Sequence, residues 1–372
     1  MPFASIGKPR YEIDKSEGKY KTQADRLLNI LFYSDELPSD LYNQMNMKYD
    51  NYRKVISQLK QRELIRKIDR DGLIGYVLTS GGRELVKQLD YVRYKDCIKE
   101  KKGTDYSVIR RSRRRQFAYL YALFDRAGIP YETFNKPFIT DYVISGDKIY
   151  FYTALDFKRL LGIKSTTIKG SRVLGFFIGK GRIIPVYRTN MMLKSFGSYE
   201  GLIPEYLKRD FTMTTNEAVL ICENEKAVID ITNQIIYDDG TNKTEGIHTA
   251  YYDNFYVVPS NDSFIVHFRD LFNDNSGIEQ AIISKYEIQT TETSEHGIVN
   301  VLPWNGLYKN DPILIFAGNV DVVKAKDFIL EAKHQKRLHY IICTERDKNY
   351  LEAIAKSPHI QIMVIKRKEK KQ

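Results

Sequence analysis

Apolar positions at helical spacing open the patterned part of the chain. In residues 23–34 (QADRLLNILFYS), Leu27, Leu28, Ile30 and Leu31 form a broad apolar face, which predicts a buried helix. In LPSDLYNQM, Ser39 is placed to cap a short second helix with Leu41 and Met45 inward. NMK makes a turn, and Asp50 can cap a third helix over 51–62, where Tyr52, Val55, Ile56 and Leu59 recur at helical spacing. The period then changes. Leu64–Ile68 and Leu73–Leu78 are strand-like and are joined by Asp69-Arg70-Asp71-Gly72; Asp-Gly between two β-rich runs signals a hairpin. Ser80 can cap a further helix over 81–95.

The charged run 95–107 (KDCIKEKKGTDYS) is the best boundary in the chain. After it, RRSRRRQFAYLYALFDRAG (110–128) predicts a helix with Phe117, Leu120, Leu123 and Phe124 inward and Gly128 as its stop. From 130 to about 310 the pattern reads mostly as strands: 148–153, 172–178, 182–187, 218–222, 227–231, 254–258 and 263–268, interrupted by a helical piece near 191–208. Lys180-Gly181 joins two of them as a hairpin. The last seventy residues alternate strand (PILIFAG), amphipathic helix (VDVVKAKDFILEAKHQ), strand (LHYIICT), helix (DKNYLEAIAKS) and strand (IQIMVI). That order implies parallel pairing through crossovers. The predicted organisation is a loose basic arm (1–20), a first domain (21–95), a linker (96–109), a larger mixed α/β domain (110–365) ending in βαβαβ, and a basic tail (366–372). The fold class is α+β to α/β.

Charge sharpens this picture. Fifty-eight Lys and Arg against 47 Asp and Glu leave a formal net charge of +11, which favours an anionic partner. Cys97, Cys222 and Cys343 are odd in number, far apart and in no metal-ligand spacing, as in a reducing cytosol. The six histidines form no HxxxH or HxH pair, so no metal is expected. No run of ~18 apolar residues predicts a membrane span. MPFASIGKPRYEIDK lacks the apolar core of a secretory signal. A cytoplasmic protein without a membrane partner or cofactor is the expectation.

The positive charge has a location. With Val55, Ile56 and Leu59 inward, helix 51–62 turns Asn51, Arg53, Lys54, Ser57, Gln58 and Lys60 outward, and Lys48 and Tyr49 lie at its leading end. These are donors that read base edges or grip phosphate. The hairpin adds Arg66, Lys67 and Arg70. The alternative is a solvated helix face in a protein-docking module. A second cluster, Arg110-Arg111-Ser112-Arg113-Arg114-Arg115, surrounds a helix start. Arg110, Arg111, Arg113 and Arg114 are candidates for a second backbone contact; the competing reading is a salt-bridge cluster, since arginine also suits partly buried ion pairs.

The order helix, helix, helix, hairpin, helix resembles the winged helix-turn-helix DNA-binding superfamily. The resemblance rests on QLKQRELIRKIDRDGLIGYVLTSGGRELV, whose Leu78–Val86 string is similar to the wing-to-helix junction of MarR- and PadR-type regulators. It implies double-stranded DNA as partner, helix 51–62 in the major groove, and a homodimer reading paired half-sites. The segments RRSRRRQFAYLYALFDRAGI and SRVLGFFIGKGRIIPVYRTNMMLKSFGSYE, the latter ending on Glu200, resemble the replication-relaxation proteins of Gram-positive plasmids and conjugative elements. That likeness implies a restriction-endonuclease-like second domain, DNA binding in replication, mobilisation or transcriptional control, and other proteins of the same element as partners. It carries over no catalytic residue.

Two other function classes compete. A metal-dependent nuclease needs two or three carboxylates around a divalent metal, with a lysine nearby. Asp156-Phe157-Lys158 supplies an acidic-x-lysine string, with Asp141 and Asp147 upstream, but no proline-aspartate precedes it. A non-catalytic protein-interaction scaffold is the third class, for which Trp304 in LPWNG is a possible anchor. There is no GxxxxGK[ST] loop, no GxGxxG after a strand and no GxSxG elbow; Gly318 after PILIFAG is weak ground for a nucleotide site. The 27 Tyr and 18 Phe are read as core and interface rather than as a base-stacking surface.

Overall fold

A computed structural model describes residues 22–89, 107–132, 136–137, 139, 141–156, 172–189, 198–211, 216–237, 251–290 and 304–366. The predicted basic arm, most of the linker with Cys97, Lys158 and the tail beyond 366 lie outside these residues. The chain is mixed α+β and divides into two compact units, Met1–Ile139 with Ile149–Phe151, and Thr140–Lys148 with Tyr152–Gln372. Three sheets form among the described residues. No described helix is long and apolar enough to cross a membrane.

The first unit begins with α1 (Gln23–Ser34), capped by Thr22, whose hydroxyl accepts from the Asp25 N–H. Leu27, Ile30 and Leu31 are fully buried, so the apolar face does what its spacing predicts. β1 (Leu37–Pro38) follows, then a series of turns over 39–46 in place of the expected second helix. Leu41 and Met45 do point inward, but successive turns close on i+3, i+4 and i+5 partners, so no regular helix propagates. α2 (Tyr49–Gln61) starts two residues before the predicted onset, with Asp50 in its first turn rather than at its cap.

β2 (Ile65–Arg70) and β3 (Leu73–Leu78) pair antiparallel, from Ile65 opposite Leu78 to Arg70 opposite Leu73. Asp71 and Gly72, both at positive φ (55° and 74°), make the tight turn that Asp-Gly favours. β1 adds to the other side of β3, giving the order β1-β3-β2. α3 (Ser80–Leu89) follows, and its cap is Thr79 rather than Ser80, since the Thr79 hydroxyl accepts from the Gly82 N–H. Gly82 is required here: a Cβ at this position would lie 2.0 Å from the Leu64 carbonyl oxygen.

α4 (Val108–Ala127) ends on Gly128 at φ 71°. The sequence reading places this helix at the head of the second domain. In the structure it packs on α1 and β1 and belongs to the first unit. Arg26 pairs with Asp125, Tyr119 donates to Asp40 at 2.6 Å, and Arg126 donates to the Gln44 carbonyl at 3.0 Å. Such cross-links come from residues far apart in sequence, which no local pattern reveals.

In the second unit α5 (Asp141–Ser145) is short, and β4 (Tyr150–Thr153) straddles the division between the units. β5 (Gly175–Gly179) and β6 (Arg182–Thr189) form the predicted hairpin. α6 (Ser198–Phe211) leads to β7 (Glu217–Cys222), α7 (Glu225–Tyr237) and β8 (Asn254–Pro259), with β6, β7 and β8 parallel. α8 (Phe264–Phe272) and α9 (Ser276–Lys285) follow. Two expected strands are corrected here. Residues 227–231 lie inside α7 and 263–268 lie largely inside α8. Val228, Ile231, Thr232, Ile235 and Ile236 are buried at helical spacing, as are Phe264, Phe268, Leu271 and Phe272; a six-residue window is too short to show that period.

The last sheet has the order β13-β12-β11-β10-β9, built from β9 (Gln289–Thr290), β10 (Gly306–Tyr308), β11 (Asp311–Ile315), β12 (His339–Thr344) and β13 (Ile360–Ile365). β11, β12 and β13 are parallel, joined through α10 (Val322–Gln335) and α11 (Lys348–Ile354). Leu314, Ile341 and Cys343 face a core with α7, α10 and α11; Ile313, Ile315, Tyr340 and Ile342 face the opposite side, toward α9. A strand buried on both faces has no alternation, which is why these runs are continuously apolar.

Candidate nucleic-acid interface

α2 is fixed by its inward side. Tyr52, Ile56 and Leu59 are buried, and the Tyr52 hydroxyl donates to the Pro38 carbonyl at 2.8 Å, tying the helix to β1. Val55, predicted inward, is only half-buried. Its other side is open: Lys48, Tyr49, Arg53, Lys54, Ser57 and Lys60 are exposed, and Asn51 and Gln58 are half-buried. Tyr49 is 50% exposed and packs edge-on against Tyr42, with the Arg53 guanidinium 5.6 Å from its ring centre. The Tyr49 ring, one turn earlier, thereby gives the Arg53 guanidinium a surface to rest on.

The hairpin presents Arg66, Lys67 and Arg70, all exposed. Lys67 reaches Asp69 at 2.8 Å and Arg70 reaches Asp71 at 3.4 Å. Pairs this exposed are each worth about 0–1 kcal/mol, so a phosphate can replace the carboxylate at little cost. Lys67 stands opposite Tyr76 in the β2–β3 register. Burial pushes the Tyr76 hydroxyl pKa up; Lys67 and Arg53 pull it back, while Tyr49 pushes it further up. Tyr76 therefore lies within electrostatic reach of groups on both α2 and the hairpin. Residues 48–71 carry eight cations and four carboxylates, so this face is net positive.

The arginine cluster divides. Arg110 and Arg113 are exposed and Arg114 is half-buried. Arg111 is a correction to the contact set, because its side chain is fully buried, with 0% exposure. Its Nη2 and Nε donate to the Glu36 carboxylate at 2.7 and 3.0 Å, and it also donates to the Arg70 and Leu73 carbonyls at 2.9 Å each. The Glu36 carboxylate lies over Gly75, where a Cβ would stand 2.6 Å from Oε1. Arg115 continues this seam, donating to the Ile74 carbonyl at 2.6 Å. Glu36 was missed by sequence reasoning: a lone acidic residue beside Asp35 carries no signal that it is buried.

Asp156 does not behave as a free metal ligand. Its carboxylate accepts from the Thr153 N–H at 2.9 Å while the Thr153 hydroxyl accepts from the Asp156 N–H at 3.1 Å, the reciprocal pattern of a helix capping box. Asp147 is exposed, and the side chain of Asp141 lies outside the described set. Among the described residues no group of three His, Cys, Asp or Glu could hold a metal ion. Trp304 packs partly buried beside the core of the last sheet. No protein family, curated protein or solved structure matches this chain.

Proposed function

We propose that this protein binds double-stranded DNA through a winged helix-turn-helix spanning Gln23–Leu89, with α2 in the major groove and the β2–β3 hairpin as the wing. One observation carries the reading. The apolar side of α2 is spent on the core, and its remaining side, continuous with the hairpin at Tyr76, is exposed and net positive. A 13-residue helix is about 20 Å long and fits a groove about 12 Å wide. Arg53, Lys54 and Asn51 near its N-terminal half are then the base-edge candidates, and Lys48, Lys60, Arg66, Lys67 and Arg70 the phosphate contacts. The second unit serves as a platform for a second copy or for partners of the same mobile element.

Fluorescence anisotropy with labelled duplexes at graded salt tests this. Affinity should fall with a log–log slope of about −0.9 for each neutralised phosphate. Absence of binding at about 50 mM salt, or binding indifferent to salt, would overturn the proposal. Preference for one duplex over scrambled competitors would separate site recognition from general attraction to polyanions.

A further inference from the structure

The second unit holds a cavity of about 150 Å³ between two sheets, beyond the carboxyl end of β8 in one and of β11 and β12 in the other. Crevices outside the carboxyl ends of such strands are where open α/β sheets bind ligands. Its walls are apolar: Val228 and Ile229 of α7, Val257 and Val258 of β8, Val320, and Tyr350 of α11. Its rim is polar and comes from four separate stretches: Glu225, His267, Asn319, and Arg346 with Asp347.

The rim is organised. Asn319 Nδ2 donates to the His267 carbonyl at 2.7 Å, which turns its Oδ1 toward His267 Nδ1 at 2.8 Å. That orientation assigns the proton to Nδ1 and leaves Nε2 as an acceptor. Burial, and then the neighbouring Arg346, lower the imidazole pKa and keep it neutral. Arg346 is itself occupied: Nη1 meets Asp270 at 2.8 Å, Nε and Nη2 meet Asp347 at 3.1 Å, and Nη2 reaches the Gly318 carbonyl at 3.3 Å. It is a clip between loops, with little left to offer an anion. Glu225, Asp347 and Asp270 outnumber this one cation, so an anionic ligand meets repulsion.

We propose that this cavity binds a single planar, non-anionic, N–H-donating nitrogen heterocycle of the nucleobase class. The apolar walls cover the ring faces, and His267 Nε2 and the Glu225 carboxylate accept from its N–H groups. A cavity of about this volume holds one six-membered ring. The inference does not depend on the DNA-binding reading, since it concerns only the second unit. The same chemistry has two sources, a free base or nucleoside and a base turned out of a nucleic-acid strand.

Titration of the full chain with uracil, cytosine and their nucleosides, followed by ligand-detected NMR, tests the proposal; a short pyrimidine oligonucleotide and benzoate form the other arms. Saturable binding of a base with a Kd between about 50 μM and 1 mM is expected for a ligand of this size. His267→Phe keeps the ring and removes the acceptor, and should weaken binding about tenfold. Ile229→Trp fills the cavity from a half-exposed position and should abolish it, with thermal melting confirming that each variant folds. Where an oligonucleotide competes and loses its binding in Ile229→Trp, the source is a strand; where only bases and nucleosides bind, it is the free ligand. The proposal falls if no base shows saturable binding, if benzoate binds as tightly, or if affinity survives both substitutions.

Discussion

The two sides of the β2–β3 hairpin use the same chemistry to opposite ends. On one side, Arg111 is buried against Glu36 and grips the hairpin through the Arg70 and Leu73 carbonyls. On the other, Lys67 joins Tyr76, Tyr49 and Arg53 on an exposed face that no core requires. Both contribute to the net charge of +11, yet only the second is available to a polyanion. Counting basic residues therefore says little until each is assigned to a clip or to a face.

Breaking the clip should have the largest effect. Arg111→Leu removes the bidentate partner of the buried Glu36 carboxylate, leaving only Arg115 at 3.7 Å, and should cost about 3–5 kcal/mol, read as a shift in the urea unfolding midpoint of the first transition. Glu36→Leu combined with Arg111→Leu should recover most of that loss, because a buried ion pair replaced whole by apolar groups is often neutral. Should Arg111→Leu weaken DNA binding with no change in stability, the division between clip and face is wrong.

Asp321 sharpens the point, because it is a buried carboxylate that no described arginine meets. It caps α10 by accepting from the Val323 N–H at 3.0 Å and also accepts from the Phe255 N–H at 3.1 Å, while its Oδ2 has no partner among the described residues. Burial outweighs these bonds and the nearby Lys324, and pushes its pKa up to about 6. A carboxyl whose folded pKa is raised stabilises most at low pH. That contribution is lost as pH rises from about 4 through 6, amounting to on the order of 3 kcal/mol. Asp321→Asn should flatten this part of the stability–pH curve and be the more stable form at pH 8. An unchanged curve would show that the carboxyl titrates normally.

Gly82→Ala tests the junction behind the hairpin. Its Cβ would meet the Leu64 carbonyl oxygen, which already accepts from the Thr79 N–H. Overpacking of this kind costs about 1–3 kcal/mol, visible as a lowered melting temperature. Gly81→Ala, where the nearest atoms are 3.9 Å away, should be tolerated and serves as the control.

The amphipathic pattern made α1, α2 and the Asp-Gly hairpin legible, because each buries one side and exposes the other. Arg111 was ambiguous for a physical reason: an arginine at a helix start looks the same in sequence whether its partner is a phosphate or Glu36, 75 residues earlier. α7 and α8 were misread as strands because their helical period exceeds the apolar runs first noticed. The cavity was illegible altogether. Glu225, His267, Asn319 and Arg346 each follow or flank a different strand, and those strands belong to two sheets whose loop ends meet only in the folded unit.

The smallest effect on stability should belong to the exposed face itself. Arg53→Ala and Lys54→Ala remove no buried contact, so the unfolding midpoint should move by no more than about 0.5 kcal/mol. DNA binding should respond far more. A lost phosphate contact lowers the salt slope by about one and weakens all sequences alike, whereas a lost base contact costs about 1–3 kcal/mol at one position and relaxes preference there. Tyr49→Ala separates the two roles for Arg53. With the ring contact gone, the guanidinium loses its fixed position, so a base contact suffers while the charge and its phosphate attraction remain. If Arg53→Ala, Lys54→Ala and Tyr49→Ala all leave binding untouched while changes at Arg110 and Arg113 abolish it, the polyanion sits at the start of α4 and the open side of α2 has another use.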